Sequence, residues 1–156
     1  HSHLVLYTVC EEMCIVLAVN AAAREGLEQF NAGQSDLSLA VREPDGFPGL
    51  LVVALDGTLD TENATAFAEA VRKLLDVLVA PRVTAFDLQS LRYISSSGIG
   101  AFTNILVAVD AAGAHLMLYG LSANVRTVFE TLGFTRFFHI INDWNEVRPY
   151  LVAPGS

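Results

Sequence analysis

Phe86-Asp87-Leu88-Gln89-Ser90-Leu91-Arg92-Tyr93-Ile94-Ser95-Ser96-Ser97-Gly98-Ile99-Gly100-Ala101-Phe102 decides how the rest of the chain is read. An apolar strand ends near Leu88 and a short crossing segment reaches Ile94. Three serines and a Gly-Ile-Gly then open a helix. Hydroxyls therefore collect at a helix N-terminus, where the first backbone N–H groups lack intrahelical partners and favour negative charge. Glycine beside them lets another surface approach the backbone. Such a stretch is suited to carrying or meeting an anion.

Working outward, Val83 to Leu88 is a buried strand, and the helix from about Ser97 to Ala112 keeps Ile99, Phe102, Leu106 and Val109 at helical spacing. Gly113 ends that helix. Upstream, Thr61 to Leu78 reads as a helix with Phe67, Val71, Leu74, Leu75 and Leu78 on one face, capped by Thr61 or Asn63. Before it, Asp36–Arg42 alternates as a half-buried strand. Glu43 to Gly49 is turn chemistry, and Leu50–Leu55 is a buried strand closed by Asp56-Gly57. Downstream come a strand from His115 to Gly120 and a short helix capped by Ser122 with Val125, Val128, Phe129 and Leu132 inward. An edge strand, Phe137–Ile141, precedes a last helix opened by Asp143 with Glu146 three residues on. The order β-β-α-β-α-β-α-β-α predicts an α/β fold: a mixed, largely parallel sheet with helices packed against it.

Leu4 to Phe30 reads as a helix that is apolar almost all the way round, interrupted by Glu11 and Glu12. Neither apolar half reaches the ~18 residues of a membrane span, so no direct membrane insertion is expected. The helix is expected to pack on the domain, to pair with a second copy as a homodimer, or to end a preceding domain. Asn31 to Ser35 is a linker. Residues 1–35 are thus an N-terminal helical extension and linker, with His1-Ser2-His3 as an expression scar or the cut end of a longer chain.

The chain has 156 residues, enough for one domain with a real core, and a net charge of −8. One lysine, Lys73, and scattered arginines give no basic face, which excludes nucleic acid as a partner. Cys10 and Cys14 lie four apart and make no disulfide framework. With His1 and His3 they form an unusual His/Cys set, read here as core thiols and not as a metal site.

Ser95, Ser96 and Ser97 are not in a Gly-x-Ser-x-Gly elbow, and neither His115 nor His139 is placed by the pattern as their base, so no catalytic residue is assigned. Gly98-Ile99-Gly100 begins a dinucleotide fingerprint but has Thr at 103, and no Gly-Lys-Ser/Thr exists, so no nucleotide cofactor is expected. Two readings of the serines remain. They are caps and turn residues. Alternatively, one hydroxyl is a switch: a phosphoryl group would add nearly two negative charges at a helix N-terminus that tolerates them, while a partner docked there would face a charge costly to desolvate.

Three motifs in order resemble the STAS domain family, and within it the bacterial anti-sigma factor antagonists. The family hallmark of a strand ending Asp-Leu-Ser, an aromatic-Ile/Met and Asp-Ser-Ser/Thr-Gly-Leu-Gly is matched by Asp87-Leu88-Gln89 and Tyr93-Ile94-Ser95-Ser96-Ser97-Gly98-Ile99-Gly100. A Gly-x-Leu-Asp turn is matched by Gly57-Thr58-Leu59-Asp60. The run Gly-Leu-Ser-x-x-Val-Arg-x-Val-Phe-x-x-x-Gly is present from Gly120 to Gly133. The resemblance implies a STAS domain over 36–156 and a non-enzymatic, cytoplasmic regulator of transcription. It implies phosphorylation at Ser96, with Ser95 and Ser97 as alternatives. The kinase would be of the GHKL ATPase type and itself the anti-sigma factor; it would be bound while the serine is unmodified, so that the sigma factor is released. A PP2C-type phosphatase would reset the switch. Asp60, Ser95, Ser96, Ser97, Gly98 and Thr103 would line the partner face, with Val107 on the same side of the helix. Ser95 departs from the hallmark, which has Asp there, and removes a charge from the loop. A STAS module of another system is the alternative: a transporter's cytoplasmic domain, a lipid-transport accessory subunit, or a small-ligand-sensing domain.

Overall fold

Strand alternation sorts the apolar residues onto two faces of one sheet, and each face receives its own cover. The computed structural model describes residues 3–5, 21–77 and 81–151. Among these, β1 (His3–Val5), β2 (Leu37–Glu43), β3 (Leu50–Leu59), β4 (Val83–Ile94), β5 (His115–Tyr119) and β6 (His139–Ile141) lie side by side in chain order. The β1/β2 and β2/β3 pairs are antiparallel; β3/β4, β4/β5 and β5/β6 are parallel. The helices are α1 (Ala21–Gly33), α2 (Ala64–Val77), α3 (Ser96–Ala111) and α4 (Ala123–Thr131). After β6, a 3-10 turn (Trp144–Val147) runs into α5 (Arg148–Leu151). The mixed, largely parallel α/β architecture expected from the order of elements is the one that forms.

On the first face, Leu39, Val53, Phe86 and Leu118 meet the apolar sides of α1 to α4 in one continuous core. Aromatic rings knit it together: Phe86 and Phe102 lie 5.0 Å apart, Phe67 and Phe102 5.3 Å, and Phe129 and Phe138 5.6 Å, all edge-to-face, the preferred arrangement for such pairs. Phe102 thus anchors α3 to β4, α2 and α4 at once. On the second face Leu50, Val52, Val83, Ala85 and Met117 are covered by the C-terminal turn through Val147, Trp144 and Tyr150. Asp143 and Glu146 form the expected capping box there.

Several expectations are corrected. His3–Val5 is a strand paired with Val41–Glu43, not the start of a helix; the partner strand, distant in sequence, overrides the local apolar pattern. Asn31 to Gly33 belong to α1 and are not linker. Asn31 brackets the backbone of Leu39, accepting from its N–H at 2.9 Å and donating to its carbonyl at 3.0 Å. Ala23, Leu27 and Phe30 put α1 in the main core. β3 does not close at Asp56-Gly57 but runs through to Leu59. Gly57 sits at φ +127°, where a Cβ would strike the Asp36 carbonyl, so the strand bends there without ending. β4 continues past Leu88 to Ile94 in a shifted register, so no crossing segment exists. The short helix after Gly120 leaves Leu132 44 % exposed, and Phe137 lies before β6, 61 % exposed. Expectations for residues 6–20, including Cys10 and Cys14, lie outside the described residues.

Candidate functional site

The long β4 delivers the serines. Ile94 pairs in register with Leu59 and is buried. Ser95 N–H donates to the Leu59 carbonyl at 2.9 Å, which fixes the loop to the end of β3. Ser95 is extended (φ −94°, ψ 172°) and its Oγ accepts from Gly98 N–H at 3.1 Å. It is therefore the N-cap of α3, satisfying one of the helix's free donors. The Asp of the family hallmark is replaced here by another good capping residue.

Gly98 has a different reason to be where it is. A Cβ there would lie 2.7 Å from Ile94 Cγ1, 2.9 Å from Leu59 Cγ and 3.0 Å from the Leu59 carbonyl. Only glycine lets the first turn of α3 press onto the ends of β3 and β4. Gly98 is buried and presents no side chain to a partner; its part in the site is to hold the loop.

The three serines differ in their surroundings. Ser95 is committed to capping. Ser97 is half-buried, with its Oγ 3.3 Å from Thr61 Oγ1 on the neighbouring turn. Ser96, the first residue of α3, is exposed, and its hydroxyl takes no partner among the described residues.

The Thr61–Ser97 contact joins this loop to the Asp60 turn. Asp60 Oδ1 accepts from Glu62 N–H (3.0 Å) and Asn63 N–H (3.2 Å), while Asp60 N–H donates to Asn63 Oδ1 at 2.9 Å. Asn63, 3 % exposed, also donates from Nδ2 to the Thr58 carbonyl at 2.9 Å. Asp60 and Asn63 thus cap α2 reciprocally, and the predicted Thr61 cap is not made; Thr61 faces Ser97. The carboxylate at Asp60, half-exposed, stands beside the serine loop with one oxygen held by the backbone.

Along α3, Thr103 is half-buried and its hydroxyl donates to the Ile99 carbonyl at 3.0 Å, while Val107 is 65 % exposed. Asp110 is the one charged residue of the helix, so its outer face is almost uncharged. Between α2 and α3 runs a groove of about 430 Å³ lined by Thr61, Thr65, Arg72, Ser97, Gly100 and Asn104. Arg72 donates to Asn104 Oδ1 across it at 3.4 Å. Tyr93, the aromatic of the hallmark motif, is 50 % exposed on β4 just before the loop.

The structure brings Asp60, Ser95, Ser96, Ser97 and Gly98 together and leaves Thr103 further along the helix. His115 and His139 are on the other face of the sheet, their rings 4.8 and 5.3 Å from that of Tyr150. No described group is aimed at the Ser96 hydroxyl as a base. Among the described residues there is no cluster of three or more metal-ligating side chains, and no helix is long and apolar enough to cross a membrane.

Comparison with known proteins gives a consistent result. The model of the STAS domain matches residues 38–147. A Bordetella bronchiseptica protein, BtrV, described as a candidate anti-sigma factor antagonist, is 30% identical over 98 residues, which is 63% of this chain and 83% of that protein. An anti-sigma factor antagonist from Mycobacterium paratuberculosis superposes with a TM-score of 0.61 at 16% identity, over 74% of this chain and 93% of that one. The Bacillus antagonist SpoIIAA in its unphosphorylated form gives 0.57 at 18% identity, over 70% and 93%. A sulfate transporter family protein from Wolinella succinogenes gives 0.55 at 18%, over 66% and 84%. At these identities the solved structures share the fold.

Proposed function

Because the chain belongs to the STAS domain family, we propose that it is an anti-sigma factor antagonist switched by phosphorylation of Ser96. The observation that carries the reading is the division of labour among the serines. Ser95 caps, Ser97 is tied to Thr61, and Ser96 alone is exposed and free at the first position of α3. Unmodified, the loop, the Asp60 turn and the uncharged outer face of α3 dock on a GHKL-type serine kinase that is itself the anti-sigma factor, and the sigma factor is released. A phosphoryl group on Ser96 sits well on the helix N-terminus but places charge in a surface the partner must desolvate. A PP2C-type phosphatase restores the first state. The protein acts by binding, in the cytoplasm, and catalyses nothing itself.

BtrV and the solved antagonists favour this reading over the alternative of a transporter's cytoplasmic STAS module, which the Wolinella neighbour keeps in view. Two experiments test it. Phosphopeptide mass spectrometry on protein isolated from its own host, growing and stressed, should find phosphate on Ser96 that changes with condition. Calorimetry with the cognate kinase should find Ser96→Ala binding like the parent and Ser96→Asp at least tenfold weaker, about 1.4 kcal/mol. Unchanged affinity of the aspartate variant sinks the switch at this position.

A further inference from the structure

Asp87 belongs to the hallmark motif but not to the docking face, and its place in the sheet gives it a separate task. β3 and β4 run in step from Leu50/Val83 to Ala54/Asp87. Beyond that pair they fall out of step twice. Leu88 and Gln89 together stand against Leu55, and Arg92 has no counterpart between Gly57/Leu91 and Thr58/Tyr93. Ala54 to Leu59 is thus five steps on one strand, and Asp87 to Ile94 is seven on the other. The first extra residue turns the side chains to the opposite face, and the second turns them back. The buried residues accordingly fall at Leu88, Leu91 and Ile94, three apart.

The double shift decides where the serines lie. Continued without it, the register of Ala54/Asp87 would set Leu59 against Arg92. The serine loop would then overrun the Asp60 turn by two residues, roughly 7 Å. With it, Leu59 meets Ile94, and the Leu59 carbonyl receives the Ser95 N–H at 2.9 Å.

The first shift is held from within the strand. Asp87 Oδ1 accepts from Gln89 N–H at 3.1 Å, and Oδ2 accepts from the Gln89 side-chain amide at 3.4 Å. A bulge leaves a residue out of the ladder, and an Asp two residues earlier can supply the acceptor its N–H lacks. The Asp87 side chain is 16 % exposed and stands between Ala54 and Tyr119 in the sheet. Gln89 in turn lies over Gly120, where a Cβ would strike its Cγ. The second shift is flanked by the exposed Arg92–Asp56 pair at 3.6 Å, an arrangement that contributes little.

We propose that Asp87 is a positioning residue for the switch: its carboxylate fixes the first bulge of β4 and so sets the serine loop level with the Asp60 turn. Its service to docking rests on the function proposed above, whereas its hold on the loop does not.

The test uses the full chain, labelled with ¹⁵N and ¹³C, and reads the register from nuclear Overhauser contacts. Asp87→Ala should lose the Leu59–Ile94 and Leu59–Ser95 contacts while keeping Val53–Phe86 and Phe86–Leu118. Asp87→Asn retains an acceptor oxygen but no charge for Arg42, 3.9 Å away, and should keep all four. Should Asp87→Ala not fold, Gln89→Pro deletes the same N–H from the donor side and should lose the same two contacts. By calorimetry the cognate kinase should bind the displaced loop on the order of fivefold to tenfold more weakly, and Asp87→Asn like the parent. A Leu59–Ser95 contact that survives removal of the hydrogen bond, its loss in Asp87→Asn, or parent-like kinase affinity with the loop displaced would each overturn the proposal. Failure of the proposed function is read separately, from Ser96→Asp binding the kinase like the parent while the register at Asp87 is intact.

Discussion

Asn63 does more for the candidate site than any residue that reaches its surface. Its amide ties the Thr58 carbonyl to the Asp60 N–H and is buried while doing so. Truncation would leave both backbone groups without their partner and free the turn that holds Asp60 beside the serines. Asn63→Ala should cost about 1–3 kcal/mol, read as a lower urea midpoint at unchanged slope. Loss of less than about 0.5 kcal/mol would mean that water replaces the amide. The sequence carried a signal for this pair, since Asp60 and Asn63 stand three apart before an apolar-periodic helix, the spacing of a reciprocal cap. The Thr61–Ser97 contact had none. Those residues are thirty-six apart, and their meeting depends on how β3 and β4 end together. For the serines, three identical residues in a row could be told apart only by their surroundings.

At the scale of elements, α2, α3 and α4 were legible because each buries one face and keeps the 3.6-residue period in doing so. β4 was legible only to Leu88. Beyond it the register against β3 shifts, alternation is lost, and Gln89, Ser90, Arg92 and Tyr93 come to the surface within a strand that continues. The segment before residue 36 misled in the same way. His3–Val5 is a strand because β2 offers an edge, which no local pattern states. The helix that follows is integral to the core, with Leu27 2 % exposed among α2 and sheet residues. Leu27→Ala should therefore destabilise the whole domain by about 2–5 kcal/mol. Thermal unfolding followed by circular dichroism should remain a single transition at lower Tm. A separate early transition would show instead that α1 is an independent appendage.

At the scale of the molecule, the two faces of the sheet have different duties. The serine loop belongs to the end of the sheet where α2 and α3 begin, and these helices cover the first face. Trp144, the single tryptophan, lies on the second face with its ring 4.3 Å from Tyr119 and the Arg42 guanidinium 5.4 Å above it. A charge introduced at residue 96 should leave that environment alone. Native emission spectra of the parent and Ser96→Asp should superimpose, while both shift to the red on unfolding in urea. A changed native spectrum would mean that the substitution is felt through the sheet and that the fold takes part in the response.

The capping of α3 by Ser95 also has a kinetic meaning. With the Gly98 amide satisfied by Ser95 and Ser97 in contact with Thr61, the loop is tied down on both sides of the unmodified Ser96. On the function proposed above, a switch at Ser96 would have no refolding step to wait for. Its delay in one direction is the lifetime of the complex that must dissociate, and in the other the time a dephosphorylated molecule needs to meet its partner by diffusion. The response time of such a circuit is then set by enzyme concentrations and off-rates, while the domain itself contributes no lag.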